Sequence, residues 1–211
     1  MSTTPATTME YGALFDKAWG WIRDQLPLVA GLTLVYGVAL GVCSLLPIVG
    51  HFAAMAIGPG YLVCLLKIRD RQNMDFADFF WTFTDFNRLL HFYLMFVIQW
   101  ILICVGFILL VIPGVYLAVA LSLSSTYFVL REQDGIQSLK KAKALTEGHW
   151  WFLAGLFLLI GVLNILGALF FLIGLLITLP LSVLVAVAAL EALERKTPVS
   201  VIDVAATPLP Q

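Results

Sequence analysis

The sequence predicts an all-α, polytopic membrane protein. Six transmembrane helices are expected as three helical hairpins, each preceded by an amphipathic helix on the cytoplasmic face. Three observations predict this. First, of 211 residues 61% are hydrophobic and 12% charged, whereas soluble domains carry about 25% charged residues; the mean hydropathy is +0.98. Second, six apolar runs recur, each near the ~20 helical residues needed to cross ~30 Å of hydrocarbon. Third, all twelve Lys and Arg residues fall before the first run, in two long loops, or after the last run, while the short turns near Pro47, Pro113 and Gly174 carry no charge. Cytoplasmic segments retain Lys and Arg on insertion, so both termini and the long loops are expected in the cytoplasm.

Each element has a local reason. Residues 1–8 are polar and are expected to be disordered. One membrane domain is expected over 9–196 and a flexible, proline-containing tail over 197–211. Thr7 and Glu10 have capping-box spacing. Tyr11, Leu14, Phe15, Ala18, Trp19 and Ile22 then recur on one helical face, which predicts an amphipathic surface helix. Spans are expected at about 26–46 and 48–66, joined at Pro47, with Lys67, Arg69 and Arg71 marking the cytoplasmic end. A second amphipathic helix places Phe76, Phe79, Phe80 and Phe83 on one face. Spans follow at about 92–111 and 115–130, around an Ile112-Pro113-Gly114 turn. Asp134 and Gln137 repeat the capping-box spacing before a third amphipathic helix with Lys140, Lys141 and Lys143. Spans at about 150–172 and 175–193 complete the set. The first span is expected to act as its own uncleaved signal, since Glu10, Asp16 and Asp24 precede it.

The unit of amphipathic helix, span, turn and span recurs three times. A shift of 64 places Leu45-Leu46 on Leu109-Leu110, Lys67 on Arg131 and then Arg195, and Asp70 on Asp134. A shift of 124 places Ala30-Gly31-Leu32 on Ala154-Gly155-Leu156. Parallel copies of this kind would be related by an axis along the membrane normal.

Composition also narrows the chemistry. The net charge of −1 gives no polybasic signature for nucleic acid. Cys43, Cys64 and Cys104 lie inside predicted spans without metal spacing, and His51, His91 and His149 are scattered, so no metal or cofactor is expected. The span centres lack Asp, Glu, Lys and Arg, which argues against an ion-coupled pump. Asp85, Arg88 and His91 are the nearest approach to an acid–base set, at spacings that wander around a helix. The polar residues at depth are Gln99, Asn164 and the cluster Ser122, Ser124, Ser125 and Thr126, which suit bonds between helices. Gly58-Pro59-Gly60 interrupts the second span, as a kink or as a binding site. Gly37 and Gly41 have the spacing of a helix-association motif.

Four segments are shared with a known group: Leu110-Val111-Ile112-Pro113-Gly114-Val115-Tyr116-Leu117-Ala118-Val119, Ser138-Leu139-Lys140-Lys141-Ala142, Thr146-Glu147-Gly148-His149-Trp150-Trp151, and Gly174-Leu175-Leu176-Ile177-Thr178-Leu179-Pro180-Leu181. Together they resemble a broad group of poorly characterised bacterial integral-membrane proteins, similar to the membrane domain fused to some glycerophosphodiester phosphodiesterases. The resemblance implies a bacterial inner-membrane helical protein with cytoplasmic termini. It carries over no catalytic residues, because it lies in the membrane domain of those proteins and not in their phosphodiesterase domain.

The expected function is non-enzymatic: an accessory or scaffold protein that organises lipids or partner proteins. Lys140, Lys141 and Lys143 would meet anionic headgroups, while Trp19, Trp21, Phe76, Phe79, Phe80, Trp150 and Trp151 would anchor at the interface. The expected partners are membrane lipids, with a second membrane protein or a second copy of the chain. The alternative is a transporter of a small neutral solute or lipid, its path lined by Gly58, Pro59, Gly60, Gln99, Ser122, Ser125 and Asn164.

Overall fold

The computed structural model describes residues 10–45, 49–109, 111–131, 134–169 and 174–196. The expected disordered start, the tail over 197–211, the Thr7 cap and the Pro47 turn lie outside the described residues. Among those described there are nine α-helices and no strand: α1 (Tyr11–Ile22), α2 (Leu26–Ser44), α3 (Val49–Arg69), α4 (Phe86–Leu109), α5 (Val111–Leu121), α6 (Ser124–Arg131), α7 (Gly135–Thr146), α8 (Trp150–Leu169) and α9 (Leu175–Lys196). Two 3-10 segments, Arg23–Gln25 and Phe76–Phe83, join them. Six helical runs are long and apolar enough to cross a membrane, which fits a multi-pass membrane protein.

Long apolar side chains cover much of the outside. Leu158, Ile165 and Leu169 on α8 are 71%, 70% and 78% exposed, a surface that water would disfavour and hydrocarbon solvates. α9 sits at the centre and packs against α1, α2, α3, α6, α7 and α8. Leu184, Val185, Val187, Ala188, Ala189, Leu190 and Leu193 are all buried. A helix apolar on every side is one enclosed by its neighbours, and small residues at Ala188 and Ala189 let those neighbours approach.

Three elements differ from the sequence expectation. α1 runs through the 3-10 turn Arg23–Gln25 into α2, forming one 34-residue stretch, Tyr11–Ser44. Its predicted apolar face divides: Leu14, Ala18 and Ile22 are buried, while Tyr11 and Trp19 are exposed. Tyr11 instead stacks on Phe152 of α8 with ring centroids 4.6 Å apart.

The helix after Asp75 is 3-10, with three residues per turn, and its register differs from that of an α-helix. Phe79 and Thr82 become buried with Trp81, while Phe76, Phe80 and Phe83 stay exposed. A capping box closes its start: Asp75 accepts from the Asp78 backbone and Asp78 from the Asp75 backbone. The box expected at Asp134 does not form; Asp134 makes no side-chain cap, and Gln137 Nε2 reaches Asp134 Oδ2 only at 3.5 Å.

The fourth span is broken. α5 ends at Leu121 and α6 starts at Ser124, and the third span starts at Phe86, earlier than residue 92. Ile112-Pro113-Gly114 lies in the first turn of α5, where proline's missing N–H costs no helical bond. Gly114 is needed for α4 to cross α5: a Cβ there would lie 2.6 Å from the Phe107 ring. Gly37 and Gly41, by contrast, meet nothing within 4 Å, so the spacing motif is not used between the described helices.

Gly60 has the tightest requirement. A Cβ there would fall 2.0 Å from the Phe79 carbonyl oxygen. The break Gly58-Pro59-Gly60 therefore has two roles within three residues: Gly60 admits the 3-10 segment against α3, and Pro59 withholds the N–H that would bond the Met55 carbonyl. Gly60→Ala is expected to cost about 1–3 kcal/mol through this overlap with backbone, measured as a lower unfolding midpoint by circular dichroism in detergent. Gly12→Ala, where nothing lies within 4 Å, serves as the control, and equal midpoints for the two variants would contradict the packing described.

Candidate functional site

Three arrangements bring polar or titratable groups together. The first is a collar of ion pairs at the charged end of the bundle. Glu191 of α9 accepts from Lys17 Nζ of α1 and from Arg69 Nη1 of α3, both at 2.8 Å. One turn on, Glu194 accepts from Arg131 Nη2 of α6 at 2.7 Å. Lys67 reaches Asp78 at 2.8 Å, which ties α3 to the 3-10 segment. Trp21 lies under the cations of Lys17 and Arg69, at 5.0 and 5.1 Å. Such contacts strengthen as water leaves, and the Arg69 side chain is only 13% exposed. Trp21, expected as an interfacial anchor, is thus half-buried among cations.

The second arrangement is a polar cavity of about 180 Å³ where α4 meets α7. It gathers Asp85, Arg88 and His91 with Trp81 and Asp134. Arg88 lies 4.1 Å over the Trp81 ring and donates to the Trp81 carbonyl oxygen at 3.0 Å. Asp85 accepts from the Asn87 N–H at 2.9 Å at the start of α4. His91 has the Asn87 carbonyl oxygen 2.8 Å from Nδ1 and Asp134 Oδ1 3.0 Å from Nε2. The sequence spacing of three and three is therefore completed by Asp134 from another helix, and these contacts fasten α4 to α7. Gly135 next to it admits the His91 carbonyl, which a Cβ would approach to 2.4 Å. Among the described residues no group of three His, Cys, Asp or Glu side chains is placed to hold a metal.

The third arrangement is a half-open cavity of about 300 Å³ lined by residues of α2, α3, α4, α6 and α9. Gly58 and Pro59 line it from α3, Ser125 and Thr126 from α6, and Tyr36 from α2. Phe92, Phe96 and Leu179 supply apolar wall. Tyr36 stacks on Tyr61 at 4.4 Å, and the Tyr61 hydroxyl is bonded to Thr33 Oγ1 at 2.9 Å. No charged side chain lines this space.

The seven residues expected along a solute path separate. Gly58, Pro59 and Ser125 meet at this cavity. Gly60 faces the Phe79 backbone instead. Gln99 and Ser122 serve the break in the fourth span. Gln99 Nε2 donates to the Leu121 carbonyl at 3.3 Å, Ser124 Oγ lies 2.6 Å from that same oxygen and 2.9 Å from Gln99 Oε1, and Ser122 Oγ donates to the Val119 carbonyl at 2.6 Å. Backbone groups freed inside a bilayer must find such partners. Asn164 bonds Ser182 Oγ at 2.9 Å and joins α8 to α9.

The expected interface residues also separate. Phe79 is 3% exposed and belongs to the core, because the 3-10 register turns it inward. Phe76 and Trp151 point outward at 66% and 82% exposure, as does Trp19. Trp150 is half-buried, stacked on Tyr116 at 6.0 Å. Lys140 and Lys143 are exposed and Lys141 is half-buried. Glu191 and Glu194 stand near the end of the last apolar run, and no pattern in the sequence points to their partners. The repeat offset that aligns Lys67 with Arg131 singles out one of those partners, Arg131, whereas Lys67 pairs with Asp78, and no periodic signal identifies the acceptor.

No protein-family model matches the sequence, and no curated protein or solved structure matches it at a significant level.

Two outcomes follow from this geometry. Glu191→Gln should destabilise the protein by about 2 kcal/mol, since the poorly exposed Arg69 loses one of its two carboxylates and keeps Asp70 at 2.8 Å; Lys17→Ala, at a more exposed position, should cost under about 1 kcal/mol. Thermal unfolding in detergent ranks the two, and the reverse order would contradict the collar. Gln99→Leu should cost about 1 kcal/mol, since it removes the bonds to the Leu121 carbonyl and to Ser124 while the Ser124 hydroxyl keeps that carbonyl at 2.6 Å, read in the same assay against wild type.

Proposed function

We propose that this chain is a non-enzymatic bacterial inner-membrane protein whose cytoplasmic face organises lipids or partner proteins. In this reading the six spans form three helical hairpins, an amphipathic helix precedes each on the cytoplasmic side, and both termini lie in the cytoplasm. The sequence offset of 64 makes the three units copies of one another, and the charge distribution sets their orientation.

The observation that carries the proposal is the placement of charge on α7. Leu139, Ala142 and Leu145 are buried in the bundle, while Lys140 and Lys143 are exposed on the other side. A mobile basic segment would lose conformational freedom on meeting a membrane. A basic helix already packed against α4, α5, α6 and α9 loses little. Phe76, Phe80, Phe83 and Trp151 add exposed aromatic surface, the residue type enriched at headgroup depth. Partners would then be anionic lipids, or membrane proteins with complementary acidic segments.

The cavity at Gly58 and Pro59 favours a second reading, in which a small neutral solute or lipid enters the bundle and is carried across. Helix α3 is continuous through Pro59, so this reading is supported by the cavity itself and not by a gap in the helix.

Replacing Lys140, Lys141 and Lys143 together by glutamine tests the first reading. At about 1 kcal/mol per basic residue near an anionic surface, affinity for anionic lipid should fall by as much as about 100-fold. Native mass spectrometry of protein released from mixed anionic and zwitterionic nanodiscs counts the lipids retained. Fewer anionic lipids on the variant supports the proposal; an unchanged count overturns it.

A further inference from the structure

The cavity between α2, α3, α4, α6 and α9 has an unusual chemical balance. Its walls are mostly apolar, yet three lining residues, Tyr36, Ser125 and Thr126, carry hydroxyls with no hydrogen-bond partner among the described residues. These hydroxyls are not sealed either, for none is among the buried polar atoms that lack both a partner and accessible surface. Thr33 and Ser182, by contrast, bond the Val29 and Thr178 carbonyls at 2.8 and 2.6 Å, and the unpartnered hydroxyls of Thr82, Ser138 and Thr178 are sealed from any ligand. The cavity therefore presents several donors facing a space of about 300 Å³, roughly twice the ~150 Å³ apolar cavity known to take up benzene.

These facts constrain an occupant. It must reach mid-depth in a bilayer, so it is membrane-soluble. It must be uncharged, because no charged side chain lines the space and an unpaired charge there is costly. It must offer the hydroxyls a polar group, and a carbonyl oxygen accepts from each of them without bringing an N–H or O–H of its own that would need a partner in an apolar wall. A ring fits the walls, which include Tyr36, Phe92 and Phe96. We infer that this cavity is a binding site for a neutral, lipid-soluble ring compound bearing carbonyl oxygens, of the quinone class, held by Ser125 and Thr126 with Tyr36. The inference rests on the site used by the second reading above and not on movement across the bilayer.

Gly58 makes the site testable without unfolding the protein. Its position meets nothing within 4 Å and needs no left-handed backbone, so Gly58→Leu fills the cavity from one wall. The probe is duroquinone, with durene as the same methylated ring lacking both carbonyls. The readout is the unfolding midpoint of the full chain in detergent by circular dichroism, since a ligand of the folded state raises it. Duroquinone should raise the midpoint at about one-tenth the concentration durene needs, the difference expected for about 1.4 kcal/mol of hydrogen bonding. Ser125→Ala with Thr126→Val should remove that tenfold advantage and leave the durene response intact. Gly58→Leu should abolish both responses while the variant still unfolds in one cooperative transition, at a midpoint lowered by the contact of its Cβ with the Pro59 ring.

Equal responses to the two rings, no response to either, or a full response from Gly58→Leu would each overturn the inference. A duroquinone response without passage across vesicle membranes retains the site and removes the transport reading. Passage of a solute without a duroquinone response does the reverse. The triple lysine variant should respond to duroquinone as wild type does; loss of its response would place binding at the headgroup face and overturn the inference.

Discussion

Two carboxylates one turn apart on α9 govern the charged end of this molecule. Glu191 takes cations from α1 and α3, and Glu194 takes one from α6. The helices concerned begin or end at that level, so each ion pair also sets how far its helix slides along the bundle. In hydrocarbon, apolar packing between helices gains little from excluding water. Register must come from close packing and from the few strong polar contacts, and those are concentrated here. Burial of α9 on all sides follows, since a helix whose end is gripped from three directions is surrounded along its length.

The spans were legible because a bilayer imposes one requirement, about 20 apolar residues in a helix, and composition reveals where it is met. Charge asymmetry was legible for a similar reason. What could not be read was anything depending on a partner far along the chain. Lys17 and Glu191 are 174 positions apart, and no local pattern links them. The 3-10 conformation after Asp75 was also hidden, because Phe76, Phe79, Phe80 and Phe83 satisfy an α-helical face equally well. Its actual register buries Phe79 and leaves the other three exposed, so one residue of an apparent aromatic anchor became core.

The glycines and prolines were visible as interruptions but not in their roles. Gly58 and Gly60 look alike in the sequence, yet one borders empty space and the other a carbonyl. That distinction arises from where the 3-10 segment docks. The break in the fourth span carried a partial sequence signal. The polar cluster from Ser122 to Thr126 sat in an otherwise apolar run, and Gln99 stood alone in the preceding span. The structure joins Gln99 to Ser124 and to the Leu121 carbonyl, and no pattern in the sequence indicated that a backbone gap was the reason.

The central position of α9 has a consequence for biosynthesis. It follows every other described helix in chain order. At about 5–20 residues per second, the 174 positions between Lys17 and Glu191 correspond to roughly ten to thirty-five seconds of translation. Within that interval Lys17, then Arg69 and then Arg131 are made 174, 122 and 63 positions ahead of their α9 carboxylates. The growing protein is thus a ring of helices around a vacant axis, and a ribosome that stalls before α9 leaves an intermediate with an unfilled centre and mismatched charge, the kind of surface that membrane quality-control proteases and insertion chaperones engage.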